Sequence, residues 1–68
     1  MIFIIKVNNR ELEWYEGMTI EDIFKIKNYT WTKIIVKVNK QVIDEENYKI
    51  TIVNDGDDVQ MLHLLAGG

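Results

Sequence analysis

At 68 residues, 47% of them hydrophobic and 28% charged, the chain has enough apolar material for one thin core and too much to stay disordered. Its net charge of −3, with eight Lys and Arg scattered along it, argues against the basic face of a nucleic-acid binder. Without cysteine there is no disulfide, no thiolate metal site and no sulfur nucleophile, and a single His leaves a zinc site short of ligands.

The opening apolar run stops at Lys6, too short for a signal segment or a membrane span, so the expected location is cytoplasmic, with no membrane partner. The stretch "FIIKVNNRELEWY" alternates apolar and polar residues on both sides of Asn8-Asn9. Asparagine tolerates the left-handed conformations of a tight turn, so this reads as a hairpin. Parity sends Phe3, Ile5, Val7, Leu12 and Trp14 inward and Lys6, Glu11 and Glu13 outward.

A helix is predicted next, over "TIEDIFKIKN". Gly17 breaks the strand, and Thr19 is placed to cap the helix with Asp22 three residues on, a shortened capping box. Glu21 and Asp22 suit the positive end of the dipole, and Lys25 and Lys27 the negative end. Met18 and Ile23 occupy the two staple positions. Ile20, Ile23 and Phe24 make a buried stripe at helical spacing, with Ile26 at its edge and Asn28 as the stop.

In "KIIVKVNKQVI" a second alternating pair turns at Asn39-Lys40. Lys33 and Lys37 mark the wet face, which Ile35 shares, and Ile34, Val36 and Val38 point to the core. "DEENYKITIV" reads as a polar loop with a short apolar segment, its Asp44, Glu45 and Glu46 solvated or facing a basic partner. "NDGDD" is a turn, since it lacks the ligand spacing of a calcium loop. In the final strand, "DVQMLHLL", Val59 and Met61 face inward and Gln60, Leu62 and Leu64 outward, with His63 near the rim. Trp14 is expected in packing, and Trp31 in a loop covering one end of the core.

The pattern defines an α+β domain with one main helix packed across a mixed sheet of four to five strands. The first and last strands are the most continuously apolar, which suits central, parallel positions. With hairpins outside them, the arrangement is the ubiquitin-like β-grasp. Residues 1–64 would form this domain and residues 65–68 a flexible C-terminal tail.

That tail, Leu65, Ala66, Gly67, Gly68, loses side-chain volume stepwise. Extended, the five residues of "LLAGG" from Leu64 on reach about 16–18 Å, enough to carry an end group clear of a small domain. Glycines at its tip let a partner's backbone or a phosphate approach closely. A carboxylate there is a poor electrophile until joined to a nucleotide phosphate as an acyl adenylate. The outward residues Ile35, Leu62 and Leu64 form an apolar patch beside it, read as a docking face for a partner.

Over essentially its whole length the chain resembles the ubiquitin-like sulfur carriers, above all the ThiS type of thiamine biosynthesis. The likeness lies in "KVNNRELEW", "EGMTIEDIF", "VKVNKQVIDEE" and "VNDGDDVQMLHLLAGG", and most of all in the hairpin at Val38 to Val42, the "DGD" turn at Asp55 to Asp57 and the terminal "AGG". Lys40 stands where that family often has glycine. The resemblance implies a β-grasp fold and a carrier that is not itself an enzyme. It implies adenylation of Gly68 by an activating enzyme that uses ATP, with no cofactor bound by the carrier. A sulfur donor protein would supply the sulfur, and the thiocarboxylate would deliver it to thiazole synthase. Two alternatives stay open: the small subunit of molybdopterin synthase, and a β-grasp interaction or protein-modifier module that carries no sulfur.

Overall fold

A computed structural model describes residues 2–29 and 33–64. The described residues form β1 (Ile4–Val7), β2 (Arg10–Glu13), α1 (Ile20–Lys27), β3 (Ile34–Val38), β4 (Gln41–Ile43), a single 3-10 turn at Glu45–Asn47, and β5 (Asp58–His63). The sheet order is β2-β1-β5-β3-β4. Each hairpin closes through two residues in the left-handed region: Asn8 and Asn9 (φ 52° and 67°) and Asn39 and Lys40 (φ 49° and 74°). These conformations match the twist of the paired strands.

β1 and β5 run parallel in the middle, with Lys6 opposite Asp58 and Val7 opposite Val59. β3 runs antiparallel to β5 on its other side, from Ile34 opposite His63 to Val38 opposite Val59. β2 and β4 are the edges.

α1 starts where its sequence says. The Thr19 hydroxyl accepts from the Asp22 amide at 3.2 Å, and the Asp22 carboxylate accepts from the Thr19 amide at 3.0 Å. These bonds hold the Asp22 carboxyl below its ordinary pKa, the Thr19 amide contributing most. Asn28, at φ 59°, ends the helix in the left-handed region. Ile20, Ile23 and Phe24 are buried against Ile5, Val7, Val36, Val59 and Met61 of the sheet, with Met18 completing the staple.

Two expectations are corrected. Phe3, expected inward by parity, is 43% exposed. It lies one residue ahead of β1, and its ring meets Trp14 edge-on, with centroids 5.6 Å apart. Ile26, expected at the edge of the buried stripe, is 47% exposed. At about 100° per residue it stands more than a right angle from the stripe's centre, whereas Lys27 lies near that centre.

The segment after β4 carries more of the core than its polar composition suggests. Tyr48 and Val53 are buried. Tyr48 stacks on Phe24 with centroids 5.2 Å apart, and its hydroxyl donates to the Ile34 carbonyl at 3.4 Å. Burial raises its pKa. Trp14 Nε1 donates to the Val53 carbonyl at 2.9 Å, which ties the segment to the end of β2.

Candidate functional site

β5 is the strand that leads into the tail. β1 accompanies it only as far as Val59, while β3 stays beside it to His63. The Leu64 amide then donates to the Lys33 carbonyl at 2.7 Å. Residue 64 is thus still bonded to the sheet, and residues 65–68 follow directly from its end. Leu65, Ala66, Gly67 and Gly68, the tail predicted from sequence, lie outside the described residues, as does Trp31.

The predicted docking residues come together. Ile35 and Leu62 are direct register partners across β3 and β5. Both lie on the face opposite the buried Val36 and Met61. Leu62 is 43% and Leu64 50% exposed, and Ile35 is half-buried between them and the rest of β3. Lys33, which precedes β3 at φ 58°, is exposed. The result is an apolar surface on the strand that leads to residues 65–68.

His63 is exposed, and its ring meets Tyr29 edge-on at 4.8 Å, a packing contact at the rim. Two carboxylates of the acidic turn are occupied with backbone amides, one of them from β1. Asp55 Oδ1 accepts from the Ile4 amide at 3.0 Å, and Asp57 Oδ2 from the Asn54 amide at 2.8 Å. Asp44, Glu45 and Glu46 are exposed to solvent. Among the described residues there is no pocket and no group of three or more His, Asp or Glu side chains placed to share a metal ion. No helix among them is long and apolar enough to cross a membrane.

Two polar residues of this region escaped the sequence reading as anything but turn formers. Asn8 and Asn39 each bond β5 through their side chains. The only sequence signal was asparagine, rather than another turn residue, at the first position of both hairpin turns.

Among the described residues, one α-helix across a mixed five-stranded sheet, with the first and last strands parallel at its centre, defines a β-grasp domain with an exposed apolar face beside β5. The model of the ThiS family matches residues 4–68, and the chain belongs to that family. It is 26% identical over 66 residues to the sulfur carrier protein ThiS of Bacillus subtilis (strain 168), spanning 96% of this chain and 100% of the relative. The crystal structure of the thiamine biosynthesis protein ThiS from Geobacter metallireducens superposes with a TM-score of 0.74 at 23% identity, over 96% of this chain and 99% of the other. A solution structure of a thiamine biosynthesis protein from the same organism gives 0.75 at 24% identity, over 96% and 87%. These two likenesses establish the shared fold.

Proposed function

We propose that this protein is the sulfur carrier of thiamine biosynthesis and that Gly68 is the residue it presents. The observation that carries this reading is the ThiS-family match, which runs through residue 68. The sheet supports it by keeping β5 paired with β3 as far as Leu64, so that the reactive end is delivered from a rigid base.

The chemistry follows from the carboxylate. An activating enzyme would bind ATP, and a carboxylate oxygen of Gly68 would attack its α-phosphorus with loss of pyrophosphate. A sulfide-level nucleophile from a donor protein would then attack the acyl carbon, AMP would leave, and a thiocarboxylate would remain. Thiazole synthase is the acceptor on this reading. The carrier contributes the end group and a docking face; the catalytic residues, the ATP and the exclusion of water belong to its partners. Ile35, Leu62 and Leu64 are the surface these partners would cover. The work is placed in the cytoplasm, where ATP is available. The family match supports thiazole over molybdopterin as the destination of the sulfur.

Intact-mass measurement tests the proposal. The protein is incubated with its activating enzyme, ATP and a sulfur source. The expected product gains the mass difference between sulfur and oxygen at Gly68. Isopeptide linkage to lysines would instead identify a modifier, and an unchanged mass a binding module.

A further inference from the structure

The two long edges of β5 are held differently. β3 bonds it along its whole length. On the β1 side its odd-numbered residues make the contacts: the Lys6 amide donates to the Asp57 carbonyl at 3.0 Å and the Asn8 amide to the Val59 carbonyl at 2.9 Å. At Asn8 the backbone turns away into β2, and β1 can bond no further. The Asn8 side chain takes over. Its Oδ1 accepts from the Met61 amide at 2.7 Å, and its Nδ2 donates to the Met61 carbonyl at 3.2 Å. One planar side-chain amide thereby reproduces one more residue of β1 main chain.

Few residue types fit these demands. The position needs a donor and an acceptor on one short side chain and a backbone at φ 52°. Aspartate lacks the donor, and glycine lacks both groups. His63 is the next residue of β5 with its amide and carbonyl on this side, and no described residue bonds them. The Asn8 clamp is therefore the last described tie on the β1 side before residues 65–68.

We infer that Asn8 is a positioning residue for the C-terminal tail: it fixes the direction in which β5 hands the chain on to Gly68. This inference rests on the sulfur-carrier reading. Without the clamp, β5 would be held on one edge only beyond Val59, and the root of the tail would sample more directions. A partner must then order that root as it binds, which weakens association. Once bound, the tail is held by the partner, so the chemical step is spared.

Asn39 supplies the matched control. It sits at the same position of the other hairpin turn, at φ 49°. Its Oδ1 accepts from the Asp58 amide at 2.9 Å, and its Nδ2 donates to Asp57 Oδ1 at 2.9 Å. It clamps the same strand at the end far from the tail.

The experiment compares Asn8→Gly, Asn8→Asp and Asn39→Gly in the full chain. The readouts are amide exchange at Met61, and KM and kcat for adenylation by the cognate activating enzyme with ATP. Losing two neutral hydrogen bonds in Asn8→Gly should raise KM about tenfold while kcat stays within about twofold. Asn8→Asp keeps the acceptor and should raise KM about threefold; it carries the test should the glycine variant fail to fold. Asn39→Gly should leave KM within about twofold of the unaltered protein. Met61 should exchange faster in Asn8→Gly, which removes the acceptor of its amide, and at the unaltered rate in Asn39→Gly. Equal KM changes in Asn8→Gly and Asn39→Gly, or an unchanged KM in both Asn8 variants, would overturn the assignment, as would unchanged exchange at Met61 in Asn8→Gly. Failure of the unaltered protein to be adenylated would overturn the sulfur-carrier reading itself and with it the role given to Asn8.

Discussion

Ile35 on β3 and Leu62 on β5 stand directly opposite each other on the outer face of the sheet, two residues before the last described position, Leu64. Among the described residues no helix covers that face, because α1 packs its buried stripe on Val36 and Met61 of the other side. Leu62→Asp changes a side chain already 43% exposed, so the fold should tolerate it. Docking to the activating enzyme should weaken about tenfold or more, since a carboxylate would be buried there without a partner. Titration calorimetry measures this, and an unaltered affinity would remove Leu62 from the interface.

Deleting Gly67 and Gly68 separates the end group from the fold. The described core, from Ile5 to Met61, is complete without them. Adenylation should be abolished and the thermal midpoint unchanged. A large fall in the midpoint on calorimetry would mean that the glycines serve the fold instead.

Lys40 is a lysine held at φ 74° in the second position of the β3–β4 turn. A Cβ there crowds the following carbonyl. Lys40→Gly should stabilise the domain by about 0.5–1 kcal/mol, the relief of strain exceeding the extra chain entropy of glycine. Denaturant unfolding would register this as a higher midpoint at constant slope. A lower midpoint would show that the lysine side chain makes a contribution its backbone strain conceals.

The capping box predicts a pH dependence. The Asp22 carboxyl is held below its ordinary pKa, chiefly by the Thr19 amide. A depressed folded-state pKa stabilises the protein above the unfolded value, near 3.9, and that contribution is lost as pH falls through the folded value. The difference in stability between the unaltered protein and Asp22→Ala should therefore be constant above about pH 5 and shrink progressively below about pH 4. Thr19→Ala should cost about 1 kcal/mol at neutral pH. Thermal melts across this range provide the check; a gap that widens towards low pH would refute the assignment.

The elements legible before any coordinates were those written in short spacings. Thr19 and Asp22 are three residues apart, and the helix start follows from that alone. The alternation around Asn8-Asn9 and Asn39-Lys40 defines both hairpins, and the parity of the last strand places Val59 and Met61 inside and Leu62 and Leu64 outside. The patch of Ile35, Leu62 and Leu64 was readable because period-two alternation assigns faces without knowing which strands are neighbours.

Ile26 is set by the helical angle alone, whereas Phe3, Tyr48 and Asn8 share another cause. Phe3 has the right parity, yet its surroundings are set by Trp14 and by where β1 begins. Tyr48 sits in a polar stretch with no periodicity, and only its stacking on Phe24 takes it into the core. Asn8 reads as a turn residue, but its side chain acts on Met61, 53 positions away.

Backbone conformation at the turns, the helix cap and the inner or outer face of each strand belonged to the linear chain, because each depends on sterics and hydrogen bonds among residues a few positions apart. The partner of each side chain at long range was decided only when β5 came between β1 and β3, since a hydrogen bond from Asn8 to Met61 exists only where closure of the sheet brings two distant stretches within 3 Å.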